Sequence, residues 1–206
     1  MDNVKAVAAG LYQTLILKTD NTLWGNGLSW YGSLGIPYQS ADVVTPIKLM
    51  DDVLTMDVGA YHSLVLKTDN TLWVSGGNYN GQLGIGTDGS GTDLFKFTKV
   101  ASNVQAIAAG IKHSMMLKAD NTLWATGRND DGQFGNGTQT NRNAFGQVLG
   151  GVSYVATGGG EGGNGGCTFI IKTDNTLWAT GANLPGQLGF ASPPSQTSVF
   201  VPIVVK

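Results

Sequence analysis

Short apolar runs alternate with glycine-rich polar breaks along this chain, and no apolar stretch keeps a helical spacing. Val4 to Ala9, Thr14 to Lys18, Thr22 to Trp24 and Pro46 to Leu49 read as four short strands. The Asp20-Asn21 pair predicts a two-residue hairpin between the second and third strands, because both residue types tolerate positive φ. Those two strands are therefore expected to pair antiparallel.

The pattern then repeats. Asp-Asn-Thr-Leu-Trp ends at Trp24, Trp73, Trp124 and Trp178, at intervals of 49, 51 and 54 residues. Each copy has a Val-x-x-Val/Ile run upstream, with Met56 in the last place of the second, and an Asn-x-x-Gly-Gln-Leu-Gly variant downstream. Four repeats, approximately 1–50, 51–101, 102–150 and 151–206, fill residues 1–206 as one expected domain. A four-stranded unit of this length is a propeller blade, which buries its faces only by stacking on its neighbours. The expected fold is an all-β propeller of four-stranded antiparallel blades, with Trp24, Trp73, Trp124 and Trp178 packed between them. Three arrangements satisfy the pattern: a closed four-bladed ring, a partial propeller, or a ring completed by a second chain. In an open arc, exposed blade edges favour a homo-oligomer.

Ala8-Ala9-Gly10, Ala108-Ala109-Gly110-x-x-His113-Ser114 and Asn78-x-x-Gly81-Gln82-Leu83-Gly84-x-Gly86-Thr87 resemble the regulator-of-chromosome-condensation repeat, as do the Trp-x-x-Gly steps. Members of that family are typically seven-bladed propellers, and the resemblance implies the same blade here. It also implies kinship of type with the propeller β-lactamase inhibitors, which have no enzymatic activity.

Composition narrows the function. Twelve basic and 14 acidic residues give a net charge of −2, too little to hold a phosphate backbone, so nucleic acid is not an expected partner. No run approaches the ~18 apolar residues of a membrane-spanning helix, and Met1 to Lys5 does not read as an export leader. Low charge with abundant Gly, Thr and Asn leans toward an extracellular, cell-surface or virion-associated location. The lone Cys167 excludes an intrachain disulfide.

No motif assembles a catalytic or metal centre, so neither enzyme activity, cofactor nor metal is expected. Gln13, His62, His113 and Cys167 share one repeat slot, and a slot that accepts all three residue types suits packing or hydrogen bonding better than zinc. Cys167 activated by His113 would lack a third, orienting group. Asp20, Asp69, Asp120 and Asp174 occupy equivalent hairpin tips and read as turn chemistry. Asp51-Asp52 falls in a repeat junction, and Asp88 to Asp93 lacks the calcium-loop pattern. The Gly158–Gly166 stretch lacks a following Gly-Lys-Ser/Thr and reads as a loop insertion, not a phosphate cradle.

Recognition is expected where the repeats differ inside fixed flanks. One such window follows the upstream Gly: Leu11-Tyr12, Tyr61, Ile111-Lys112, and the glycine insertion. The other precedes the Gly of Gly-Gln-Leu-Gly: Trp30-Tyr31, Tyr79-Asn80, Asp130-Asp131 and Leu184-Pro185. In the propeller-type inhibitors, aromatic residues of corresponding windows gather on one face and contact the partner. The resemblance carries that role to Tyr12, Trp30, Tyr31, Tyr61 and Tyr79, with Asn80, Lys112, Asp130 and Asp131 varying beside them. The expected function is non-catalytic binding of a protein partner through these rim loops. Carbohydrate binding is the alternative, and nucleotide exchange on a small GTPase, as in the family's namesake, the remote one.

Overall fold

The computed structural model describes residues 1–37, 42–159, 166–184, 186–189 and 195–203. The core of the glycine insertion, including Glu161, lies outside them, as do Pro185 and residues 204–206. Four four-stranded antiparallel sheets follow one another along the chain. Blade 1 comprises β1 (Val4–Ala9), β2 (Gln13–Lys18), β3 (Leu23–Gly27) and β4 (Val43–Met50). Blade 2 comprises β5 (Val53–Val58), β6 (His62–Lys67), β7 (Leu72–Gly76) and β8 (Leu94–Ala101). Blade 3 comprises β9 (Val104–Ala109), β10 (His113–Lys118), β11 (Leu123–Gly127) and β12 (Arg142–Leu149). Blade 4 comprises β13 (Val152–Gly158), β14 (Cys167–Lys172), β15 (Leu177–Ala182) and β16 (Gln196–Pro202). The strands read from the pattern are all present, with the third and fourth of blade 1 longer than expected.

A blade has two faces, and each belongs to a different seam. Leu15, Leu17, Leu23 and Leu34 of blade 1 are buried against Val53, Met56 and Val65 of blade 2. Leu64, Leu66, Leu72 and Leu83 meet Val104 and Met116 of blade 3 in the same way. Met115, Leu117, Leu123 and Phe134 then meet Val152, Val155 and Ile170 of blade 4. Strand alternation places each set on its own side of the sheet. Among the described residues no such cluster joins blade 4 to blade 1, so the sheets form an open arc, and the closed four-bladed ring is excluded.

The tryptophans differ from expectation. Trp73, Trp124 and Trp178 do pack on seams, but each is half-buried, and the adjoining Leu23, Leu72 and Leu123 fill the core instead. The reason is the polar end of the indole. Each Nε1–H donates to the Thr two residues earlier, at 2.9 Å for Trp24 and 2.8 Å for Trp73. A lysine ammonium lies over each ring, 4.2 Å from the centroid for Lys118 and Trp124. Asp20 closes the motif by accepting from the Thr22 amide at 3.0 Å and hydroxyl at 2.6 Å, and these bonds, led by the hydroxyl, hold its carboxyl below the usual range. Only the Asn takes positive φ, 63° at Asn21, while Asn21 N–H bonds to Lys18 and Lys18 N–H to Thr22. The connection is thus a three-residue loop with a left-handed third residue, not the expected two-residue turn.

Polar contacts cross the seams near the opposite end of the blades. Gln13 donates to the Gly59 carbonyl at 3.4 Å, His62 Nε2 lies 2.9 Å from the Ser114 hydroxyl, and His113 Nε2 lies 3.5 Å from Thr168. The shared slot is an inter-blade latch. Asp57 bonds the Ala109 amide of the next blade at 2.8 Å, and burial raises its carboxyl pKa. A Cβ at Gly59 would come 2.4 Å from the Gly110 carbonyl and 2.1 Å from His62, so glycine permits this close approach.

Two predictions follow from the seams. Leu72→Ala should cost about 3 kcal/mol and Trp73→Ala about 2 kcal/mol, while Trp24→Ala, with no blade in front of it, should cost about 1 kcal/mol or less. Urea melts of the three variants check this ranking. For the latch, burial lowers His62 to about 3, with the nearby His113 adding to the effect, and burial lowers His113 to about 4. The unfolded chain therefore binds the extra protons, and stability should be full above about pH 6.5 and fall as pH drops toward 4. Asp57, raised by burial, opposes that trend. Thermal melts across this range should lose their slope in a His62→Gln/His113→Gln variant, leaving the loss below about pH 4 from turn aspartates such as Asp20.

Candidate functional site: an aromatic shelf at the loop end

Antiparallel order sends the first-to-second and third-to-fourth strand connections of each blade to one end and the Asp-Asn turns to the other. Both varying windows therefore share the loop end. There the rings of Tyr12 and Trp30 stand 4.9 Å apart, those of Tyr12 and Tyr61 6.2 Å apart with planes inclined by 30°, and those of Tyr31 and Tyr61 5.5 Å apart, edge to face. Tyr61 belongs to blade 2, so this shelf bridges the first seam. Tyr12, Trp30 and Tyr31 remain exposed, and Tyr61 is half-buried.

The loop that carries Trp30 and Tyr31 differs from its counterparts. In blades 2 and 3, Asn78 and Asn129 accept the amides of Leu83 and Phe134, at 3.0 and 2.8 Å. Gln82 and Gln133 accept the Asn80 and Asp131 amides, at 2.9 and 3.0 Å. Blade 1 has Ser29 and Ser33 in those slots, too short for the same clamp. Its loop instead forms a single 3-10 turn over Trp30–Gly32, with Tyr31 at φ 57°. A bulky residue in that left-handed region is strained.

The other predicted residues fall into two groups. Lys112 occupies the slot of Tyr12 and Tyr61 and lines a cleft of about 540 Å³ with Tyr61, Leu11 and Ile111. The glycine-bearing ends of the first strands of all four blades form the rest of that cleft, whose sequence signal was the Ala-Ala-Gly of blades 1 and 3. Tyr79 is 70% exposed, and no ring contact ties it to the shelf. Asn80 is held by Gln82, Asp130 accepts from Arg128 Nε at 2.7 Å, and Asp131 accepts from Gln133 at 3.2 Å. These last three brace their own loops.

Cys167 is buried, and burial pushes its thiol pKa up, the reverse of an activated nucleophile. Among the described residues no group of three His, Cys, Asp or Glu side chains gathers as a metal would require. Likewise no helix among them is long and apolar enough to cross a membrane.

Comparisons with known proteins agree with this geometry. Residues 53–82 and 104–133 match the model of the regulator of chromosome condensation (RCC1) repeat. No curated protein sequence matches the chain at a significant level. Among solved structures, yeast RCC1 (Prp20) bound to Kap60 is 21% identical with TM-score 0.84, covering 98% of this chain and 49% of that one. Prp20p from Saccharomyces cerevisiae, described with its binding to Gsp1p and histones, is 21% identical with TM-score 0.81, covering 98% and 50%. Human WBSCR16 is 20% identical with TM-score 0.82, covering 97% and 52%. The chain spans about half the length of these proteins. None of these likenesses supports the lean toward an extracellular or virion-associated location. With repeat spacing, blade topology and seam packing all in agreement, this chain is a β-propeller arc of four blades, and its second and third blades carry the matches to the RCC1 repeat.

Proposed function

We propose that the chain is a non-catalytic recognition module that seats a protein partner on the shelf of Tyr12, Trp30, Tyr31 and Tyr61. The observation that carries this reading is the gathering of four aromatic rings at the loop end, two of them, Trp30 and Tyr31, on a strained turn of blade 1. Exposed Trp and Tyr supply large contact area at low entropic cost and dominate interface energetics. A strained residue persists where its neighbours hold it, and such strain clusters at functional sites. The structural relatives described with Gsp1p, histones and Kap60 supply probes for the partner class.

Carbohydrate would use the same rings by stacking, and a glycan array separates that reading from protein binding. Release of fluorescent nucleotide from Gsp1p tests the exchange-factor reading, which the proposed module would fail.

Pull-downs with Gsp1p, histones and Kap60 should identify a binder. Trp30→Ala/Tyr31→Ala should then weaken it at least tenfold with an unchanged melting temperature, and retained affinity refutes the shelf. Tyr31→Gly should separate strain from contact: it relieves about 1 kcal/mol, raising the melting temperature slightly while lowering affinity. Calorimetry with the same partner measures both.

A further inference from the structure

Three seams inside the chain share one construction: a Val/Met/Ile face with a Trp at its rim closes on the Leu-rich face of the preceding blade. The end blades display the two halves of a fourth. On blade 1, Val7 is 60% exposed and Val4 is exposed, whereas their counterparts Met56, Val155, Val53 and Val152 are buried. Ile16 and Trp24 lie beside them, half-covered. On blade 4, Leu177 is 39% exposed where Leu23, Leu72 and Leu123 are fully buried. Phe169 and Ile171 are half-covered at positions where Leu15 and Leu17 are buried. The open surfaces at the two ends of the arc include these sheet faces.

We propose that a second copy of this chain docks head to tail, with Val4, Val7, Ile16 and Trp24 of one copy closing on Phe169, Ile171 and Leu177 of the other. The match is continuous with the established interface, because the same residue classes in the same slots close every internal seam. A second copy is the occupant because one molecule carries both complementary halves, each used once in a heterologous contact. Two copies of four sheets give eight blades, within the range that propellers adopt. The aromatic shelf lies at the first internal seam and is independent of this contact.

Sedimentation velocity across a wide concentration range tests the proposal on the 206-residue chain. The mass should rise with concentration from 21.5 kDa toward twice that value. Val7→Asp and Leu177→Asp, both at exposed positions and so expected to leave the melting temperature of the monomer intact, should each return the chain to monomer. An equimolar mixture of the two variants should pair again, because each contributes the face that the other lacks. A monomer at every concentration overturns the proposal and leaves both faces to further blades of a longer chain. Association that survives either substitution, or a mixture that stays monomeric, overturns it as well.

Discussion

Everything in this molecule depends on the contact between the Leu-rich face of one sheet and the Val/Met/Ile face of the next. A single four-stranded sheet has no interior of its own, so no blade can bury its apolar residues alone. Leu23, Leu72 and Leu123 are fully buried only because a following blade covers them, while Leu177, with the same neighbours in sequence, stays partly exposed. Identical local sequence thus gives different burial according to position in the array. Stability is a sum over seams, and the two end blades are its least protected members.

An apolar seam sets distance better than it sets angle, and a recognition surface needs both. The polar latch supplies the second constraint at the end where recognition is proposed. Gln13, His62 and His113 each reach one blade forward, and the Ser63, Ser114, Thr126 and Thr180 hydroxyls bond to loop carbonyls of the preceding blade. Such bonds are directional, so sliding one blade over another would leave buried groups unpaired. The arrangement has a cost: His62 Nδ1 is buried without a partner, and partial burial raises the pKa of the Asp57 carboxyl.

Much of this was legible in the sequence for a simple reason: repeats compare a chain with itself. The Asp-Asn-Thr-Leu-Trp spacing marked four blades, and the strand runs matched the sheets closely. Local chemistry was harder to read. A large apolar side chain such as Trp73 suggested the core, but its indole N–H must find a partner, and Thr71 at the sheet rim holds it there. The Asp-Asn turn resembled a two-residue hairpin because the Lys18–Thr22 pairing that adds a third loop residue has no side-chain signature. Within the candidate site, the varying windows singled out Tyr12, Trp30, Tyr31, Tyr61 and Tyr79 alike, yet which rings meet depends on the rotation from blade to blade. Tyr79 shows the difference: it sits in the slot of Trp30, but the slot after Tyr61 holds Lys112, and the aromatic run stops.

That stop bears on how the shelf arose from the scaffold. In blades 2 and 3 the loop obeys its local rules, with an Asn and a Gln satisfying the backbone amides around the buried Leu83 or Phe134. In blade 1 both amide side chains are replaced by serine, Leu34 remains fully buried, and Tyr31 is forced to positive φ. The packing residue is kept while the residues that relax the loop around it are given up. Sequences that fold well agree with themselves at every level, and departures concentrate where something other than folding is served. The strained turn carries Trp30 and Tyr31, two of the four rings in contact, so the place where the repeat gives up local stability adjoins the place where the aromatic rings gather.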